Sequence, residues 1–377
     1  MSLLSSTHEQ SQNSVTTGGV IQNSDYHPQS PSATEALGPE RARLLDEMDV
    51  ALVDALQTSP RAPWSRIGEA LGVDGTTAAR RWDQLSAQGL AWITAYEEGG
   101  EGCSAQVELR CRAGAVAELT RALCARPDVA SVERVAGGFD LLLTVIASSG
   151  GALARVLTDE VGRMNGVLTI GSRLVLRMFR EGSDWRMRAL DRDQRSLLAD
   201  GATRRGPGRG SADLDRRLLE ALAADGRRSF ASLASDTGVS EATARRRVRA
   251  MLTGGRVRLR CDLAQPLSGW PVAATYRLNV PPGDLDRAGS VLTTLPEVRM
   301  CAAVSGDCNL LVVAWTRTMA EVPRFEVRLG ERCPDAVVAD RTVTLYTAKR
   351  MGRLLDTAGR ATGHVPIKAA SYSSPAS

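Results

Sequence analysis

LDRRLLEALAADGRRSFASLASDTGVSEATARRRV, running from Leu214 to Val248, is the stretch whose reading decides the fold. It opens on the spacing Asp215-x-x-Leu218-x-x-Ala221-Leu222, passes through Gly238-Val239 and reaches Thr243-Ala244-x-Arg246-Arg247. The same series stands earlier in the chain. Asp49 to Ile93 aligns with Asp215 to Leu259 at a constant offset of 166 residues without a gap, carrying Gly72-Val73, Thr77-Ala78-x-Arg80-Arg81 and the later glycines Gly89 and Gly255. One unit has been duplicated, and its best-matched stretch is basic.

Within the first copy, Leu45, Met48, Leu52, Val53 and Leu56 recur at helical spacing from Arg41 onward, ending near Ser59-Pro60. A short helix is predicted over about Trp64 to Leu71. Gly72 then stands where a left-handed residue closes a helix, and Asp74 can cap the next one by accepting from the Thr77 N–H. In that third helix Ala78, Trp82 and Leu85 form an apolar stripe, leaving Thr76, Thr77, Arg80, Arg81 and Gln84 on the other faces. The second copy repeats the pattern: Ala244, Val248 and Met251 form the stripe, with Ala242, Thr243, Arg245, Arg246, Arg247 and Arg249 elsewhere. A helix, a tight glycine turn and an arginine-bearing helix make a helix-turn-helix. The exposed face of its second helix can enter the major groove, where arginine bonds guanine O6 and N7 or pairs with phosphate. A solvated charged face would look the same in one copy alone; two copies, each behind a Gly-Val turn, favour DNA contact.

Composition removes other classes. The chain has 377 residues, 43% hydrophobic and 24% charged, enough for several cores. No apolar run approaches the ~20 residues that span a bilayer, and the polar start lacks signal-peptide regions, so a soluble cytoplasmic protein is expected. Seven scattered cysteines contain no C-x-x-C pair and read as small buried thiols. His8, His27 and His364 fall in expected tails, and the only lysines are Lys349 and Lys368, near or in the C-terminal tail. The expected domains therefore lack the usual imidazole base or metal ligand, and no P-loop lysine exists. No catalytic residue, metal or cofactor is expected. Arginine supplies 45 of the 47 basic residues, but coding bias across a genome produces the same excess, and a net charge of +4 is mild support for a polyanionic partner.

Along the chain, residues 1–40 read as a disordered polar tail and 41–97 as the first helix-turn-helix domain. Residues 103–180 then give strand, helix, strand, strand, helix, strand, a ferredoxin-like βαββαβ order. Residues 185–211 read as a linker containing RRGPGRGS (204–211), with a short helix before it from Asp191 to Ala199. The second helix-turn-helix covers 212–263, a second βαββαβ unit covers 270–347, and 357–377 read as another disordered tail. The fold class is thus α+β: two winged-helix-like and two ferredoxin-like domains in tandem.

From Leu214 to Val248, and again in Pro296-Glu297-Val298 followed by Val304 to Leu311 (VSGDCNLL), the chain resembles the Lrp/AsnC family of transcription regulators. Gly137 to Leu143 (GGFDLLL) matches the corresponding turn of the first half. The resemblance spans nearly all of 41–347, as if two family members were fused. It implies that effector domains pair through their sheets, and that small molecules, usually amino acids, bind near a Gly-x-x-Asp turn at their interface. Gly137 and Asp140 match that turn. In the second half Gly306 matches, but Asn309 replaces the acid and offers an ammonium group only a neutral acceptor. The alternative is structural: Gly137 serving a left-handed turn and Asp140 capping backbone N–H groups.

The reading is a sequence-specific regulator of double-stranded DNA, cytoplasmic, with an amino-acid effector and no membrane partner. Its two halves form a pseudo-dimer that assembles into homo-oligomers, and because the two recognition helices differ, an imperfectly symmetric operator is expected. Two alternatives remain beside it: an amino-acid sensor without specific DNA binding, and an Lrp-like sirohaem decarboxylase. The second calls for basic pocket residues, typically histidine, and none lies between His27 and His364.

Overall fold

The computed structural model describes residues 45–97, 102–199 and 212–368; the expected tail 1–40, the linker stretch 204–211 and the end from 369 lie outside them. The first unit is α1 (Glu47–Thr58), α2 (Trp64–Leu71), α3 (Gly75–Ala87) and β1 (Ala91–Glu97). Then come β2 (Cys103–Cys111), α4 (Val116–Cys124), β3 (Val129–Ala136), β4 (Leu141–Ala147), α5 (Gly150–Arg155, continued by a π turn) and β5 (Val167–Arg180). After α6 (Arg192–Leu198) the series recurs as α7 (Ala212–Ala224), α8 (Phe230–Thr237), α9 (Glu241–Thr253) and β6 (Val257–Leu263). It continues through β7 (Val272–Asn279), α10 (Leu285–Leu292), β8 (Val298–Val304), β9 (Leu310–Thr316), α11 (Glu321–Arg332) and β10 (Val337–Arg350), and closes on β11 (Arg353–Leu355) and β12 (Ala361–His364). No helix among the described residues is long and apolar enough to cross a membrane.

Both tight turns form as expected. Gly72 and Gly238 each sit at φ 69°, a left-handed conformation glycine adopts without steric cost, and end α2 and α8. Asp74 caps α3, but it accepts from the N–H and hydroxyl of Thr76 rather than from Thr77 as its main partner. The stripes Ala78, Trp82, Leu85 and Ala244, Val248, Met251 are all buried.

The two expected ferredoxin-like sheets are not separate. Each half has the order β–α–β–β–α–β, yet their strands form one ring: β10, β3, β4, β2, β5, β8, β9, β7 and back to β10. Strand length causes this. β5 and β10 are 14 residues each, roughly 46 Å at ~3.3 Å per residue. The first part of β5 pairs with β2 of its own half and the rest with β8 of the other. β10 pairs with β7 and then β3 in the same way. Closure leaves neither sheet with an open edge along these strands.

Alternation along each strand then sorts the side chains. Val107, Leu109, Leu143 and Val145 point outward beneath Leu119, Leu123 and Leu153 of α4 and α5. Tyr276, Leu278 and Val312 do the same beneath Leu292, Phe325 and Leu329 of α10 and α11. The residues between them, including Gln106, Thr144, Thr275 and Arg277, face the barrel interior.

Two further expectations change. Part of the stretch read as linker is docked: Trp185 is buried edge-on against Trp270 and Trp315, and its Nε1 donates to the Pro296 carbonyl at 2.8 Å. Leu190 N–H donates to the buried Asp54 carboxylate. The stretch from 357 read as a tail instead supplies β12, which pairs with β11, and Lys368 N–H reaches the Pro127 carbonyl. His364 therefore belongs to a strand. Lys349 lies fully buried in β10, its Nζ donating to the Arg126 carbonyl at 2.7 Å. Composition alone hides these because a short polar strand gains its stability from the sheet edge it joins.

Candidate DNA-contact face and barrel cavity

Of the residues assigned to DNA by sequence, Thr76, Thr77, Arg80 and Gln84 are exposed on α3, and Ala242, Arg245, Arg246 and Arg249 are exposed on α9; Thr243 is half-buried. Arg245 bonds Glu241 at 2.7 Å one turn back, a pair open to solvent. Two assignments are corrected. Arg247 is only 8% exposed and grips the buried Asp215 through Nε at 2.9 Å and Nη2 at 2.5 Å. Its counterpart Arg81 reaches Asp46 and the buried Asp49, each at 2.6 Å, and those bonds, with Asp46 foremost, hold its guanidinium proton more tightly than usual. Both arginines flank the apolar stripe, three residues beyond Ala78 or Ala244, so they point along the seam toward the first helix. They tie the third helix of each unit to the first. The signal was legible: Asp49 with Arg81 and Asp215 with Arg247 are the same pair written twice.

The two units are locked to each other by a second duplicated arginine. Arg61 donates to the carbonyls of Gly226 and Arg228 at 2.6 and 3.0 Å, and its counterpart Arg227 donates to those of Pro60 and Ala62 at 2.8 and 2.9 Å. Each guanidinium also lies over an aromatic ring of the other unit, Arg61 over Phe230 and Arg227 over Trp64. Burial, and then repulsion from Arg61, lowers the Arg227 guanidinium to about 10. β1 and β6 meet in an antiparallel ribbon in which Thr94 faces Arg260, its own counterpart. A pseudo-two-fold axis therefore runs through the ribbon and relates α3 to α9.

In the barrel, counterparts are 169 residues apart. The turns expected to hold an effector are used by the fold. The Asp140 carboxylate accepts from the Cys111 N–H at 2.7 Å. Asn309 does the same for Val280, its Oδ1 accepting from the N–H at 2.9 Å and its Nδ2 donating to the carbonyl at 2.7 Å. Cys111 and Val280 are themselves counterparts, so acid and amide do one job. Gly137 is not left-handed as the structural alternative held; a Cβ there would meet the Thr342 side chain at 3.2 Å. Gly306 is left-handed at φ 114°, facing Arg173. Both glycines thus stand at the seam between halves. Nearby, Glu108 takes Arg173 and Arg277 from either side, each at 2.5 Å.

The other end of the barrel, toward the ribbon, holds a part-open cavity of about 250 Å³. Tyr96 of β1 and Arg260 of β6 line it, with Arg299, Trp315 and Arg350 and, from the first half, Gln106, Glu133 and Thr144. Asp262 receives Arg260 at 2.8 Å and Arg299 at 2.7 Å. Burial alone would raise the Asp262 carboxyl, but Arg260, Arg299 and Arg350 outweigh it and hold it at about 2. Burial pushes the Arg299 guanidinium well below its ordinary value despite Asp262. Sequence reading missed these residues because Arg260, Arg299 and Arg350 lie on three distant strands.

An AsnC-type helix-turn-helix domain matches residues 45–86 and 213–252, and an Lrp/AsnC ligand binding domain matches 104–185. These matches mark two AsnC-type helix-turn-helix domains and one Lrp/AsnC ligand binding domain within the chain. An uncharacterised HTH-type transcriptional regulator of Pyrococcus furiosus is 29% identical over 142 residues, 37% of this chain and 95% of that protein. One of Pyrococcus abyssi is 26% identical over 141 residues, 37% of this chain and 89% of its own. Such relatives are therefore less than half as long as this chain. Among solved structures, the siroheme decarboxylase NirDL is similar in fold over 81% of this chain and 93% of its own, with a TM-score of 0.54 at 13% identity.

Proposed function

We infer that this chain is a sequence-specific transcriptional regulator in which one polypeptide does the work of an Lrp/AsnC dimer. The observation that carries this reading is the pair of AsnC-type helix-turn-helix units joined across a pseudo-two-fold axis by the Arg61 and Arg227 contacts. Thr76, Thr77, Arg80 and Gln84 read one half-site, while Ala242, Thr243, Arg245, Arg246 and Arg249 read the other. The half-sites lie about one helical turn, or a multiple of it, apart. A small molecule such as an amino acid, bound in the barrel, modulates the binding. Apolar residues exposed at counterpart positions, Leu168 with Val337 (60% and 64%) and Leu176 with Leu345 (66% each), support further assembly of copies through β5 and β10.

The fold shared with NirDL raises a decarboxylase as the second reading. Against it stands the absence of histidine between His27 and His364, the basic residue such a pocket typically calls for. Binding the full chain to a pool of random duplex DNA, then sequencing the bound fraction, tests the regulator. The expected outcome is a motif with two related, unequal halves, each weakened by substitution in one helix. A perfect palindrome as the optimal site, or no enrichment at all, would count against it.

A further inference from the structure

The chain beyond the barrel closes on one recognition helix and leaves the end of the other open. α3 and α9 are each followed by a left-handed glycine, Gly89 at φ 66° and Gly255 at φ 68°. The two turns share a backbone conformation and differ in their surroundings. The Gly89 carbonyl accepts the Ala361 N–H at 2.8 Å, and a Cβ on Gly89 would run into the Ala361 carbonyl, whereas a Cβ on Gly255 meets nothing within 4 Å. Ala361 opens β12, which is itself held: β12 pairs with β11, and β11 with β10. Asp356 closes the turn between β11 and β12, its carboxylate accepting from the Arg360 N–H at 2.8 Å, and the Val365 N–H reaches the Gly352 carbonyl at 2.7 Å. On the second unit the same segment meets α7, where Arg353 Nη2 donates to the Ala224 carbonyl at 2.9 Å and Lys368 Nζ lies 3.3 Å from Glu220. The counterpart of Ala361, 169 residues earlier, is Arg192, which opens α6, and α6 packs against α1 and α2 of the first unit. Both extensions of the barrel therefore reach the first unit, and α3 is the recognition helix whose end is tied to it.

We propose, resting on the regulator reading above, that Gly89 and Ala361 are positioning residues for DNA recognition. The strap from Arg353 to His364 fixes α3 against the barrel, so α3 reads its half-site strictly, while α9 keeps room to adjust to the other. The contact suits that role. A helix end leaves carbonyls without partners inside the helix, and an N–H from a paired strand holds such an end in one direction. Gly89 is required twice, for its left-handed φ and for the space the Ala361 carbonyl takes; Gly255 is required for φ alone. The side chains agree with this division. α9 exposes Arg245, Arg246 and Arg249, long cations that bond phosphate whatever the sequence, where α3 has Ala79, Arg80 and Asp83. Two identical subunits could not be built this way, because symmetry would strap both helices or neither. Fusion into one chain makes the unequal arrangement available.

The full chain is tested by hydrogen exchange and by operator selection, using wild type, Ala361→Pro, Gly89→Ala and Gly255→Ala. Ala361→Pro removes the donor and Gly89→Ala displaces the strap by bulk, so a folding defect in one leaves the other to decide. Gly255→Ala carries the same left-handed strain without the clash and is the control. In each folded release variant, exchange is expected to quicken about fivefold in 353–364 and in α3, the worth of one hydrogen bond, with α9 unchanged. Gly255→Ala is expected to leave 353–364 as in wild type. The half-sites are told apart by Arg80→Ala and Arg246→Ala. Release is then expected to cut the affinity penalty for scrambling the α3 half-site by about fivefold, with the α9 penalty unchanged. Unchanged exchange in both folded variants overturns the proposal, and so does a fall in both penalties or in neither. If the wild type selects no DNA motif, the regulator reading fails, and the exchange of α3 against α9 alone decides what the strap holds.

Discussion

The two recognition helices began as the same segment and now differ most where they meet solvent. On α3, Ala79, Arg80 and Asp83 occupy the positions that Arg245, Arg246 and Arg249 occupy on α9. One exposed arginine beside an acid has become, or has come from, three arginines. Over the same span the pairs that hold each unit together are unchanged in kind: Asp49 with Arg81, and Asp215 with Arg247. The difference teaches how a fused pair can diverge. Breaking a buried ion pair costs about 3–5 kcal/mol, whereas exposed substitutions away from special features stay within about 0.5 kcal/mol. Drift is therefore free on the exposed face and forbidden one helix face away.

The largest expected effect tests that division directly. Arg247→Ala leaves Asp215 with a weaker set of partners and is expected to lower stability by about 3–5 kcal/mol, seen as an early thermal transition. Arg246→Ala, one residue away and exposed, is expected to leave the transition in place. Equal losses in the two variants would break the comparison.

Next comes the charge difference between the helices. If each arginine meets one phosphate, replacing Arg245, Arg246 and Arg249 together by alanine reduces the slope of log affinity against log salt by about 3, and Arg80→Ala by about 1. Grafting Ala79→Arg and Asp83→Arg onto α3 sharpens the same point, because the selected operator should become more nearly palindromic. An unchanged slope in the triple variant would show that α9 does not approach the backbone.

The smallest effect compares the barrel's two long strands. Lys349 of β10 stands where β5 has Arg180. Burial lowers the Lys349 ammonium to about 8, against the opposing pull of Cys124 and Asp128. Between that value and the ordinary ~10.4 the unfolded chain holds a proton that the folded chain has lost, so stability rises with pH across this window. Lys349→Met is expected to flatten the rise in melts between pH 8 and 10. A rise that persists would assign it to another group.

Much of the fold could be read from local pattern. The apolar stripes, the two left-handed glycines and the doubled β–α–β–β–α–β order all depend on neighbours within a few positions, and they stand where expected. The exposure of Arg80 and Arg246 was equally legible, since helical period alone separates them from the core. Arg81 and Arg247 were misread because period locates a residue beside a stripe but does not say whether a carboxylate waits across the seam. For Asp140 the structural alternative, capping a backbone N–H, is seen at Cys111, and Asn309 makes the counterpart bonds to Val280; the resemblance marks the turn, while the amides that engage it lie far away in the chain.

What the sequence by itself determined is the repeated helix-turn-helix, its register and the class of partner its outer arginines suit, because these rest on spacing along one helix. What only the tertiary structure decided is the closed barrel, the reciprocal Arg61 and Arg227 lock, and the cavity of Arg260, Arg299 and Arg350. Those depend on strand pairing between residues far apart in the chain, where each contact is set by the register of the whole sheet and no local period records it.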